Sequence, residues 1–178
     1  SYGFTPQFGW NNHAVQNVFI WDGESNLVLN TCSYWSGGYT SNSIFNQTST
    51  DYATSVSSFV DGGDYACSAQ FGEVSNLRPV LRINDIVVGE NNAQNCNTCY
   101  PAPYGNWYFS ARMQTLYRAE DLIAAGVTAG PIDSLAFDVT YTDPSFYDYV
   151  SIQLTTSGNP ELNFEFINTN GSYFHTNF

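Results

Sequence analysis

Chemistry in this chain could rest on few side chains. His13 and His175 are its two histidines, and they alone could act as neutral-pH bases without large pKa shifts. His13 opens a strand in Trp10-Asn11-Asn12-His13 and His175 follows Phe174, so each reads first as an ordinary polar contact. No Gly-x-Ser-x-Gly elbow, His-Glu-x-x-His helix or phosphate-cradling glycine loop occurs. The 16 acidic residues would permit a paired-carboxylate glycosidase, but no spacing singles out a pair. The chain is expected not to be an enzyme.

The four cysteines suggest an oxidising compartment. Cys32 ends an apolar run and Cys67 lies in Tyr65-Ala66-Cys67, which also reads as a strand. A disulfide between them is expected, with two free buried thiols as the alternative. Cys96-Asn97-Thr98-Cys99 lacks the further ligands of a zinc site. It precedes Pro101 and Pro103 instead of opening a helix, which argues against a redox motif. A local disulfide is the expectation.

Two ligand classes deserve weighing. Asp61-Gly62-Gly63-Asp64 puts two carboxylates in one turn, and Asp143 and Asp148 flank another loop, so calcium could be held by Asp61 and Asp64; a plain turn is the simpler reading, and no other cofactor is implied. Trp35 and Tyr39 sit in a glycine-rich loop where a flat ring could stack on a sugar, with Asn42 and Asn46 near enough in sequence to bind hydroxyls. Such aromatics more often pack over the ends of a sandwich. Asn46-Gln47-Thr48 and Asn170-Gly171-Ser172 match the glycosylation sequon, a short pattern with many chance matches.

These residues need a scaffold, and composition narrows it. The 4 basic residues, Arg78, Arg82, Arg112 and Arg118, face 16 acids, and the net charge of -12 argues against nucleic acid or anionic lipid as partner. With so few cations, Arg112 is expected to find a carboxylate or several backbone carbonyls, on a strand whose neighbours Met113 and Leu116 face partly toward the core. No run reaches the length of a membrane span, and no charged and apolar leader opens the chain, so it is expected to be mature or excised.

Short apolar or period-two runs predict strands over 14–20, 27–32, 43–48, 54–60, 65–71, 80–88, 107–116, 132–141, 149–154 and 162–168, with a last one within 172–178. Asp22-Gly23 and Asp61-Gly62-Gly63 mark turns. Residues 118–125 read as the one helix, with Glu120 and Asp121 in its first turn and Gly126 at its end. Residues 89–103 lack periodicity and carry two prolines, which predicts a linker or a long crossing loop.

Two series of words carry a resemblance. Ser110-Ala111-Arg112-Met113-Gln114-Thr115-Leu116-Tyr117, Ala119-Glu120-Asp121-Leu122-Ile123-Ala124-Ala125-Gly126 and Ile132-Asp133-Ser134-Leu135-Ala136-Phe137-Asp138-Val139 resemble the start of a β-sandwich repeat. That repeat occurs in large proteins exported by the type IX secretion system of Bacteroidota. Trp10-Asn11-Asn12-His13, Phe19-Ile20-Trp21-Asp22-Gly23-Glu24-Ser25-Asn26-Leu27-Val28, Cys32, Cys67 and Arg78-Pro79-Val80-Leu81-Arg82-Ile83 resemble its end. Asp133-Ser134-Leu135 is also similar to the Bacteroidota O-glycosylation signal. The family's order is reversed here, so 1–88 looks like the back half of one repeat and 104–178 like the front half of the next, joined by 89–103.

The resemblance implies a secreted, cell-surface structural or adhesive module, a repeat or subunit of a filament or giant adhesin, whose partners are neighbouring copies of itself. A carbohydrate-binding module that meets surface glycans is the alternative. The fold expected is an all-β, jelly-roll-like antiparallel β-sandwich with one short helix. Its halves would either meet within one chain or, the favoured option, be completed by the next copy in head-to-tail succession.

Overall fold

Positions 27–33 are all buried although a strand's side chains alternate between two faces. This happens only where a strand is central and covered on both sides. The computed structural model shows that arrangement. It describes residues 4–37, 40–63, 65–142, 146–169 and 173–175, the last three together with Val15 and Gln16 as backbone.

The elements are β1 (Gly9–Trp21), β2 (Asn26–Tyr34), β3 (Ile44–Ser49), β4 (Ser55–Val60), a 3-10 turn (Tyr65–Ser68), β5 (Glu73–Ser75), β6 (Leu77–Pro79), β7 (Leu81–Ile83), β8 (Ile86–Val88), β9 (Ala93–Gln94), β10 (Ser110–Tyr117), α1 (Ala119–Ala125), β11 (Gly130–Tyr141), β12 (Tyr149–Ser157) and β13 (Tyr173–His175). One six-stranded sheet has the order β13-β12-β2-β10-β4-β5. In the seven-stranded sheet, β11 carries β1 on one side and β3 and β7 on the other, with β6 and β9 on β3 and β8 on β7. All pairings are antiparallel. The chain is an all-β, jelly-roll-like sandwich with the single helix where it was expected. Gly126, in the left-handed region at φ 100, ends that helix by donating its N–H to the Ile123 carbonyl.

The main core lies between the sheets, where Trp21, Leu27, Leu29, Phe45, Leu81 and Phe137 are fully or almost fully buried. A second cluster, Val28, Val56, Leu116 and Leu162, lies on the outer face of the six-stranded sheet. Residues 162–167 cover it as a strap, which is why β2 and β10 are buried on both faces.

Several expectations need correcting. Residues 1–88 and 104–178 are not separable halves, and the second is not left for another copy to complete. Strand β2 lies between β12 and β10, and β10 between β2 and β4, so the sandwich closes within one chain. Residues 89–103 are not a linker either: β9 pairs with β3, and Ala102 and Tyr104, where the next strand approaches, are buried in the core. Asparagine side chains make this irregular path tolerable by taking up its backbone groups. Asn95 accepts from the Phe45 N–H and donates to the Ser43 carbonyl, at 2.7 and 2.9 Å.

Locally, 65–71 is a 3-10 turn followed by an isolated bridge from Phe71 to Glu165, so Cys67 does not lie on a strand. The expected strand over 80–88 divides into β7 and β8 at Asn84 and Asp85, both at positive φ, in a tight hairpin. Residues 162–168 form the strap, because their backbone pairs with loop segments and not with a strand ladder.

Candidate functional site

Cys32 and Cys67 are bonded with their Cα atoms 5.6 Å apart, and Cys96 and Cys99 are bonded at 4.8 Å. Among the described residues there is no free cysteine. The second disulfide tightens a loop packed into the domain.

Of the four residues considered for sugar contact, the three described ones, Trp35, Asn42 and Asn46, do not assemble into one surface. Asn42 is fully buried. Its Oδ1 accepts from the Asn106 and Trp107 N–H groups at 2.7 and 2.8 Å, and its Nδ2 donates to the Cys99 carbonyl at 3.0 Å. Asn46 donates to Asp138 at 2.6 Å and accepts from Gln94 at 3.0 Å within the other sheet. Trp35 is half-buried, with its ring so close over Gly37 that no Cβ would fit there. Tyr39 lies outside the described residues. So does Asp64, while Asp61 is exposed at the end of β4. Among the described residues no three His, Cys, Asp or Glu side chains converge as a metal site. The His175 side chain and Asp143 are also outside them, and the Asp148 carboxylate accepts from the Ser36 N–H and hydroxyl at 2.7 Å.

His13 is buried against Phe4, Phe137 and Tyr104, and its Nε2 is hydrogen-bonded to the Tyr104 hydroxyl. Burial lowers its pKa to about 4, which keeps the imidazole neutral near pH 7. It is a core histidine.

Two polar hollows carry more charge. In the first, of about 470 Å³, Arg78 is buried and donates to Tyr52 Oη at 2.9 Å, the Leu116 carbonyl at 3.1 Å and Asp121 at 2.9 Å. Tyr52 also donates to Asp121 at 2.9 Å, and the Arg118 guanidinium lies 3.5 Å from the Tyr52 ring centre. Burial pushes the Tyr52 phenol up, against the opposing pull of Arg78. This network ties β6 to the helix and the end of β10.

The second hollow, of about 450 Å³, is built by the strap. Gln114 is buried on the outer face of β10, where its Nε2 donates to the Ile167 carbonyl and its Oε1 accepts from the Ile167 N–H, both at 2.7 Å. The strap also meets residues 70–72, with Phe166 N–H donating to the Gln70 carbonyl and Gly72 N–H to the Phe164 carbonyl. A Cβ at Gly72 would stand 2.5 Å from the Ser57 carbonyl oxygen, so only glycine lets this segment approach β4 so closely. Between these walls lies Arg112. Its Nε donates to Asn30 at 2.9 Å, its Nη1 donates to the Ala69 carbonyl, and its plane lies 4.2 Å from the centre of the Phe166 ring.

Among the described residues, Arg112 thus finds one carbonyl, one amide and an aromatic face, but no carboxylate. The ion pairs among the described residues are Arg78–Asp121 and Arg118–Glu120. Partial burial lowers the Arg112 pKa from its ordinary value. Beside it, Phe71 and Phe164 are 56% and 57% exposed, with ring centres 5.9 Å apart and planes 28° from parallel. Sequence reasoning singled out Arg112 but missed the hollow, since its walls come from residues 68–71 and 165–168, far from it in the chain. No protein-family model, curated protein or solved structure matches this chain.

Proposed function

We propose that this chain is a structural and adhesive module of an extracellular filament or large surface adhesin, in which copies follow one another head to tail. The interleaving of its two ends carries this reading. Strand β1 is zipped to β11, and strands from early and late in the sequence alternate across the six-stranded sheet. A pull on either end must therefore draw strands out of completed sheets.

Two disulfides suit an oxidising, extracellular setting. No helix among the described residues is long and apolar enough to cross a membrane. The resemblance of 110–139 and 10–83 to the repeat of type IX-exported Bacteroidota proteins supports the same reading. Because the sandwich closes within one chain, head-to-tail succession is proposed through contacts between finished copies, not through exchange of halves.

Stretching tandem copies in a single-molecule force experiment tests this. Each copy should open in one step, and reduction of Cys32–Cys67 should lengthen each step by about 120 Å, the reach of the 35-residue loop it closes. Piecemeal peeling at low force would count against a load-bearing role.

A carbohydrate-binding module is the second reading, favoured by the exposed Phe71 and Phe164 rings, since exposed apolar patches mark interaction sites. Glycan-array binding that disappears with Phe71→Ala would locate that activity at these rings, and binding that disappears only with Trp35→Ala would move it to the Trp35 loop.

A further inference from the structure

We infer that the hollow at Arg112 is a binding site for a sugar acid, a hexuronate unit carried on an otherwise neutral glycan. This deepens the reading of the chain as an adhesive module and rests on it.

The first ground is the state of the arginine. In a chain with 16 acids and 4 basic residues, a half-buried guanidinium would readily find a carboxylate of its own, yet Arg112 has none among the described residues. Its Nε and Nη1 are held by Asn30 and Ala69 and its face by Phe166, while Nη2 makes no hydrogen bond among the described residues. The side chain is fixed in place with one edge left to donate, as recognition of a carboxylate requires.

The second ground is the shape and lining of the space. About 450 Å³ is far more than a single ion or water fills. Gln70 and Asn168 also line it and bring amides that suit hydroxyl groups. Phe71 lines it with an exposed ring against which the apolar C–H face of a pyranose can pack, and Phe164 stacks beside that ring.

Glu165 decides the class of ligand. It lines the same hollow, so a compact multiply charged anion such as phosphate or sulfate would meet repulsion beside the attraction of Arg112. A sugar acid separates its functions: the carboxylate goes to Arg112 and the hydroxyls donate to Glu165. A net charge of -12 opposes polyanions at long range, which further favours isolated acidic units in a neutral chain.

The probe is an aldobiouronic acid, one glucuronic acid linked to xylose, compared with its neutral methyl ester by calorimetric titration of the intact protein. Saturable binding of the acid should weaken about tenfold or more in the ester and in Arg112→Gln. It should weaken severalfold in Phe71→Ala, whose exposed ring can be removed with the fold intact by circular dichroism. Equal binding of acid and ester, binding indifferent to both substitutions, or no saturable binding at about 10 mM would overturn the site. Self-association lost in Arg112→Gln, with no sugar binding, would reassign the hollow to a contact between copies and also overturn it. The force experiment is independent of these outcomes, so failure of the sugar site and failure of the load-bearing reading are told apart.

Discussion

Arg112 and Cys32 stand directly opposite each other in the β10–β2 ladder, so the guanidinium and the disulfide share the outer face of the six-stranded sheet. Cys67, at the other end of the disulfide, lies two residues before Ala69, whose carbonyl receives the guanidinium. The crosslink anchors the wall on which Arg112 rests.

Replacing Cys32 and Cys67 together by serine should therefore do more than lower stability. The chain-entropy model gives a loss of about 3 to 4 kcal/mol for a loop with this separation of 35 residues. The same exchange at Cys96 and Cys99, three residues apart, should cost about 2 kcal/mol or less. Denaturant melts of both variants check the order, and hydrogen exchange should rise at residues 65–70 only in the first.

The strap depends on Gln114. Gln114→Leu keeps the bulk but removes both hydrogen bonds to Ile167 and leaves its backbone groups unsatisfied. A loss of roughly 2 to 3 kcal/mol is expected, with faster amide exchange at Ile167 and unchanged exchange at Leu29. Equal protection of Ile167 in both proteins would show that the strap holds without this clasp.

Asn42 serves the backbone of 97–107 and not a ligand. Asn42→Ala should destabilise by roughly 2 to 4 kcal/mol, because two N–H groups and one carbonyl lose their partners in a buried setting. Asn42→Asp should recover part of this through the two accepted bonds, while the donation to Cys99 stays lost. Thermal melts of the pair separate the acceptor role from simple loss of volume.

His13 makes stability depend on pH. Its folded pKa is lowered to about 4 from about 6.5, so between these values the unfolded chain takes up a proton that the folded chain refuses. The contribution is whole above pH 6.5, falls as the pH drops toward 4 and is level below it, a total of roughly 3 kcal/mol. His13→Gln should flatten the stability curve by that amount in this window relative to the original protein. Parallel curves for the two would show that the imidazole is protonated in the folded state.

Much of the frame was legible in the sequence. The apolar runs around Leu27–Leu29 and Ile132–Val139 announce strands because alternation is a local property, written in residues two apart. The helix at 119–125 was legible through Gly126, and the Cys32–Cys67 disulfide through an even cysteine count, although the strand expected around Cys67 is a 3-10 turn. Residues 89–103 were misread because their order comes from Asn42, Gln47 and Asn95, whose amides reach backbone groups distant in sequence. Gln47 meets the Pro101 carbonyl across 54 positions. The strap was misread as a strand for the same reason, since Gln114, 53 positions away, binds it in place of a ladder. Composition and period determined that this chain forms two sheets with a core between them. Tertiary structure alone decided that its early and late strands interleave, that its polar loops are packed and that Arg112 stands in a hollow, because side-chain hydrogen bonds between distant segments leave no period in the sequence.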